Sequence, residues 1–343
     1  MKGFGEKEQL QIGDELIAPG ERKTFDISLA RLYDFTELAL PVEVMRGKES
    51  GPVMFVTGAI HGDELIGTAI IQQLLQDKRL RQLKGTLIAI PIVNVFGFNL
   101  QSRYLPDRRD LNRCFPGNPN GSMAARIAHI LMEEIIVKCD YGLDFHSGAI
   151  HRSNLPQIRV SFKEQALATA ATKFGAPVIL NSKMREGSLR MAAEEAGVKT
   201  LLFEGGEALR VDPRIVRRGV SGALRMMEHF EMLSEVPRKD SYQSAVALGS
   251  SWLRASQSGM LTLKKGLGQR VDKNATLATI SDSFGRNTVK IQAPRDGIII
   301  GMSHLPLVSR GDAIFHLASF EEETLENENT EDMADFYHLY SGY

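Results

Sequence analysis

The sequence predicts an α/β fold, with a mostly parallel (mixed) sheet carrying helices on both faces, followed by a small all-β module. Three observations predict it. Val53-Met54-Phe55-Val56-Thr57 is an apolar, partly β-branched run of strand length. Residues 65–75 then repeat apolar side chains at helical spacing, and Gly85-Thr86-Leu87-Ile88-Ala89-Ile90-Pro91 reads as a second buried strand. Strand, helix, strand is the βαβ unit of a parallel sheet. From about residue 248 the pattern changes to short strands between Gly, Asp and Asn turns.

Taken in order, residues 1–38 are polar and weakly periodic, an extended lead-in. The α/β domain is expected over 39–233. Its first strand spans 40–45, and Gly47-Lys48-Glu49-Ser50-Gly51-Pro52 turns into the strand ending at Thr57. Residues 94–116 form a long, polar, irregular region, and long loops in compact domains are commonly functional. Helices are predicted over 122–137, 162–174, 189–196 and 214–232, with strands over 139–145, 177–180 and 198–203. A polar linker covers 234–247. The all-β module covers 248–318, with strands over 251–255, 259–263, 277–280, 288–291, 297–300 and 313–317. The tail, 319–343, is acidic and ends in Phe336, Tyr337, Tyr340 and Tyr343.

The 343 residues suffice for one large or two medium domains with a proper core. Lysine and arginine number 41 against 42 aspartates and glutamates, a net charge of -1, so no general nucleic-acid surface is indicated. Cys114 and Cys139 are the two cysteines, which supports neither a disulfide framework nor a cysteine zinc site. The first residues lack an apolar signal core, and no apolar run is long enough to span a membrane. The expectation is a cytoplasmic protein with a small-molecule substrate, without nucleic-acid or membrane partners; a homo-oligomer is left open.

Gly58-Ala59-Ile60-His61-Gly62-Asp63-Glu64 falls between the first buried strand and its helix. Open α/β sheets place their ligands at such carboxyl ends of strands. An imidazole and a carboxylate three residues apart can converge there on one cation. Zinc accepts that N/O mixture, and a catalytic zinc needs three protein ligands and one open position. His146, in Leu143-Asp144-Phe145-His146-Ser147-Gly148, is the candidate third ligand. A lone His near a turn is more often a satisfied surface or core residue, and His-x-x-Glu recurs by chance. Two such clusters, each ending a buried strand beside glycine, favour the metal.

Two further stretches carry charge. In Asp107-Arg108-Arg109-Asp110-Leu111-Asn112-Arg113, and at Arg103 upstream, the arginines either pair with Asp107 and Asp110 or line the metal cleft. In the cleft they would hold carboxylate or oxyanion charge, which arginine does bidentately. Glu204, in Phe203-Glu204-Gly205-Gly206, ends a strand. It is either a surface acid in an ion pair or the general base of a zinc hydrolase.

With His61-x-x-Glu64, Asp110-Leu111-Asn112-Arg113, Asp144-x-His146 and Phe203-Glu204-x-Gly206 in this order, the chain resembles the succinylglutamate desuccinylase/aspartoacylase family of zinc-carboxypeptidase-like hydrolases. The resemblance covers residues 40–232. It implies that His61, Glu64 and His146 bind one Zn²⁺ per chain and that Glu204 activates water. It also implies that Asn112 and Arg113 bind a substrate carboxylate and that Arg103 stabilises the oxyanion. The 248–318 module resembles a lipoyl/biotinyl-type barrel through Gly268-Gln269-Arg270-Val271-Asp272-Lys273-Asn274-Ala275-Thr276-Leu277 and Ala293-Pro294-Arg295-Asp296-Gly297. Its presumed tip, Ser283-Phe284-Gly285-Arg286-Asn287, has no lysine for a covalently attached cofactor.

The activity expected from this resemblance is deacylation: hydrolysis of a linear amide that removes an acyl group from an N-acyl amino acid. Two alternatives stand beside it, a carboxypeptidase-like peptidase on the same site and a non-catalytic metal-binding protein.

Overall fold

Two kinds of strand build the central sheet of the computed structural model, which describes residues 9–234 and 244–320. Runs apolar throughout are buried on both faces, and alternating runs expose one face. The chain forms β1 (Leu10–Ile12), β2 (Glu15–Ile17), β3 (Arg22–Arg31), β4 (Glu37–Arg46), β5 (Val53–Gly58), α1 (Leu65–Leu74), β6 (Thr86–Ile90), α2 (Val95–Asn99) and α3 (Met123–Glu134). It continues through β7 (Tyr141–Gly148), β8 (Arg152–Val160), α4 (Gln165–Phe174), β9 (Val178–Asn181), α5 (Leu189–Glu195), β10 (Lys199–Glu207) and α6 (Pro213–His229). The C-terminal strands are β11 (Ala245–Ala247), β12 (Gly249–Arg254), β13 (Gly259–Leu263), β14 (Arg270–Val271), β15 (Thr276–Ser281), β16 (Val289–Gln292), β17 (Gly297–Ser303), β18 (Leu307–Val308) and β19 (Ala313–Ser319).

The main sheet runs β12-β19-β17-β8-β10-β7-β5-β6-β4-β3. Its centre, β10-β7-β5-β6, is parallel throughout. Antiparallel strands flank that centre, with β8 beside β10 and β4 beside β6. The sheet is therefore mixed, and β5 and β6 are buried along their whole length. Each face carries its own core. One gathers Ile66 and Ile70 of α1, Phe174 of α4 and Ile215 of α6 against Phe145 and Phe203. The other gathers Ile127 and Leu131 of α3 and Leu189 of α5 against Phe55 and Ile88. Side-chain caps fix where these helices start: Ser122 for α3, Ser188 for α5, and Asp212 with Pro213 for α6.

One contact sets how closely α1 lies on the sheet. A Cβ at Gly67 would stand 2.9 Å from the Cα of Gly58 and 2.9 Å from the carbonyl oxygen of Phe145. Bare backbone thus packs on β5 and β7, and the first turn of α1 comes down on their carboxyl ends.

Three differences from the sequence reading have physical reasons. The strand β8 was not expected because Pro156 interrupts it, and a proline inside a central strand argues against a ladder. The structure places Pro156 between the paired residues Asn154 and Gln157, where the register with β10 shifts and no ladder bond is demanded. The lead-in is extended but far from isolated, since β3 pairs along its length with β4; residues 1–8 lie outside the described residues. Within the linker, Ala245–Ala247 forms β11 beside β9, while 235–243 lies outside them. So does the tail beyond Phe320.

The C-terminal strands divide. β13, β15, β16 and β18 form a separate four-stranded sheet, whereas β12, β19 and β17 extend the main sheet. The join is β17 on β8, with Gly301 opposite Asn154 and Met302 opposite Ser153. Among the described residues no helix is long and apolar enough to cross a membrane.

Gly67→Val should destabilise the protein by on the order of 3 kcal/mol, because the added atoms meet backbone that cannot yield. A lower urea midpoint at unchanged slope is the expected result.

Candidate metal centre and active site

Three neighbouring elements bring the predicted residues together. After β5 the chain turns at Ala59, which takes a positive φ of 50°. The turn is tied to the segment after β6 by Val93 N–H to Gly58 O at 3.0 Å and Asn94 N–H to Ala59 O at 2.9 Å. His61 sits in this turn, and Glu64 is the N-cap residue of α1. His146 comes from β7, where it lies directly beside Glu204 of β10 in the parallel ladder.

His61, Glu64 and His146 are all buried, and each offers a ligand atom within 4.8 Å of the other two. Glu64 Oε1 is 2.7 Å from His61 Nδ1, and its Oε2 is 2.8 Å from His146 Nδ1. Ser147 N–H adds a bond to Oε2 at 3.0 Å. The far nitrogens face carboxylates: His61 Nε2 is 3.1 Å from Asp110 Oδ1, and His146 Nε2 is 2.7 Å from Asp144 Oδ2. The Thr57 hydroxyl donates to the other oxygen of Asp144 at 2.8 Å. A carboxylate on Nε2 holds the ring in place and leaves Nδ1 for a metal, as outer carboxylates on metal-bound histidines do.

The electrostatics fit a cation. Burial opposes charge on His61, but Glu64 and Asp110 outweigh it and raise its pKa. Burial likewise opposes charge on His146, and Asp144 with Glu64 carries its pKa well above the ordinary value. Glu64 moves the other way: burial would raise it, yet His61 and His146 hold it far below the carboxylate range. Positive charge is what this pocket is built around. Two imidazoles and a carboxylate, with outer carboxylates in place, form a donor set suited to zinc.

Arg103 lies against the cluster. Its guanidinium reaches Glu64 Oε1 at 3.2 Å and Asp110 Oδ2 at 2.9 Å. Both sequence alternatives for this loop are thus partly met, since Arg103 pairs with Asp110 at the cleft itself. Asn112 is buried and takes the Leu189 N–H on its Oδ1 at 2.9 Å, which ties the loop to the start of α5. Arg113 is exposed and donates to the Asn112 carbonyl. Burial, then Arg113 and Arg159, lowers the pKa of Arg185, so guanidinium groups concentrate on this side.

Glu204 lies outside the three-residue group. Asn154 Nδ2 donates to its Oε2 at 2.7 Å, and Arg159 approaches Oε1 at 3.3 Å. Sequence reasoning missed Asn154 and Arg159 because both stand on the strand hidden by Pro156. It offered Asp110 only as an arginine partner and gave no role to Asp144, although Asp144 and His146 two apart on a strand project to one face.

Residues 50–230 match the family described as succinylglutamate desuccinylase/aspartoacylase catalytic domain. The chain belongs to this family. It is 29% identical over 296 residues to the N-alpha-acetyl-L-2,4-diaminobutyric acid deacetylase of Halomonas elongata, covering 82% of this chain and 86% of that one. The crystal structure of succinylglutamatedesuccinylase/aspartoacylase from Rhodobacter sphaeroides superposes with a TM-score of 0.78 at 25% identity, over 87% of this chain and 96% of that one. A succinylglutamate desuccinylase from Silicibacter sp. TM1040 gives 0.78 at 25%, over 87% and 95%. The mixed sheet with its helices is the fold of these family members.

Asp144→Asn should weaken binding of a divalent metal about 10–100-fold while leaving the fold intact, since it alters the partner that fixes His146. Competition against a chromophoric chelator measures it.

Proposed function

We propose that the protein is a zinc-dependent amidohydrolase that removes an acyl group from an N-acyl amino acid. The observation that carries this reading is the buried His61–Glu64–His146 group with Glu204 one strand away, held by other residues and free of the group itself. Membership of the family and the likeness to a deacetylase support it.

His61, Glu64 and His146 would hold one Zn²⁺, which supplies Lewis acidity toward the amide carbonyl and acidifies water. Glu204 takes the proton of the attacking water and returns it to the leaving amine. Arg103, fixed at the cluster by Asp110, stabilises the negative charge that develops on the carbonyl oxygen. Donors of that kind are worth roughly 10²–10³ in kcat. Arg113 receives the substrate carboxylate, with Asn112 setting the loop that presents it, so that the scissile bond is oriented.

We read 39–233 as a zinc-carboxypeptidase-like catalytic unit and 248–318 as a lipoyl/biotinyl-like scaffold beside it. β19 brings His316 close enough to Arg159 and Arg185 that, after burial, their charges depress its pKa to about 3. A small acyl amino acid, in line with the deacetylase relative, is the substrate proposed here in preference to a peptide.

A panel of N-acyl amino acids, assayed with and without zinc, tests the activity; metal-independent or absent turnover across the panel would overturn it. Glu204→Gln should keep about one zinc per chain and lose roughly 10²–10⁴-fold in kcat at similar KM, because the amide cannot accept the proton. His61→Ala should lose metal and activity together.

A pH dependence also follows. The raised pKa values of His61 and His146 mean that zinc displaces protons from the imidazoles. Affinity should rise with pH until these groups are deprotonated without metal, and fall as pH falls. Calorimetry in buffers of different ionisation enthalpy should register proton release on zinc addition near neutral pH.

A further inference from the structure

Asn154 stands on β8 between two glycines of neighbouring strands, Gly206 of β10 and Gly301 of β17. Residues directly opposed on adjacent strands project to the same face of the sheet. On the Gly301 side no Cβ crowds the amide, which reaches across to Glu204. Asn154 is buried and donates to Oε2 of Glu204 at 2.7 Å, a shorter contact than Arg159 makes with Oε1 at 3.3 Å.

The space over Gly301 is fully used. A Cβ there would stand 2.9 Å from Asn154 Oδ1 and 3.1 Å from the Cβ of His316, which faces Gly301 from β19. His316 cannot easily move away. Its ring stacks on Trp252, with centroids 4.6 Å apart and planes 8° apart, and its Nε2 shares a hydrogen bond with Ser250 Oγ at 2.7 Å. The row Asn154, Gly301, His316, Trp252 thus runs from the C-terminal strands to Glu204.

We propose that Asn154 is a positioning residue for Glu204, and that Gly301 seats it, so the C-terminal strands help to aim the general base. The proposal rests on the reading of Glu204 as that base. A base must lie within hydrogen-bond reach of the proton it takes, and a misplacement of about 1 Å can cost on the order of 10²-fold in rate.

The test uses the zinc-loaded full chain and two double-mutant cycles. Asn154→Ala should lower kcat by about 10–10²-fold with KM and zinc content near wild type. Gly301→Ala should lower kcat in the same direction, but add little in the Asn154→Ala background, because it acts through the displaced amide. Additive effects, or Asn154→Ala turning over within twofold of wild type, would overturn the proposal. If Asn154→Ala fails to fold, the near-isosteric Asn154→Asp removes the donor and should show the same loss; wild-type turnover by it is equally fatal.

The second cycle reads the urea midpoint and needs no substrate. Asn154→Ala and Glu204→Ala should be coupled, and Gly301→Ala should destabilise the wild type more than the Asn154→Ala protein. Absence of coupling refutes the placement even if the deacylase activity is real. Coupling without any turnover shows instead that the functional reading has failed while the contact stands.

Discussion

A buried carboxylate shared between two imidazoles is the constraint on which the site depends. An isolated carboxylate at the position of Glu64 would cost several kcal/mol in lost hydration. Its two oxygens are instead divided between His61 and His146, whose far nitrogens are divided between Asp110 and Asp144. Arg103 closes the array by bridging Glu64 and Asp110. The charge balance is informative. Two protonated imidazoles and one guanidinium offset three carboxylates. A divalent cation with the same guanidinium and neutral imidazoles offsets the same three, so metal and protons can exchange without leaving net charge in the interior.

The sheet supplies the precision this array needs. β5, β7 and β10 are parallel neighbours, so their carboxyl ends lie side by side, and the residues there come from different parts of the chain. β5 feeds the turn with His61, β7 carries Asp144 and His146, and β10 carries Glu204. The bare contact of Gly67 on Gly58 sets the depth of α1 and with it the height of Glu64. Side chains on rigid strands and a helix start are held more closely than a loop could hold them.

The parallel centre was legible because Val53 to Thr57 and Gly85 to Pro91 are apolar throughout, the mark of strands covered on both faces. His61, Glu64 and His146 were legible because each ends such a run. What escaped was β8, since Pro156 breaks a pattern that the register shift beside it makes tolerable. With β8 went Asn154 and Arg159, both partners of Glu204. The joining of β17 to β8 was equally invisible, because no local pattern records which edges of two sheets meet. Asp110 and Asp144 stood in view, but a carboxylate that acts by orienting a histidine has no spacing of its own.

That join changes what the C-terminal strands are. Had they formed only a separate sheet, no backbone ladder would link them to the strand bearing Glu204. Because β17 bonds to β8, and β8 to β10, a displacement of Gly301 reaches Glu204 across two strands and one side chain. Backbone ladders transmit such displacements because neither strand can move without breaking its bonds to the next. The strand bearing Glu204 is thus braced on one side by β7, with His146, and on the other by β8, with Asn154. The position of the carboxylate relative to the histidines is therefore a property of the whole sheet.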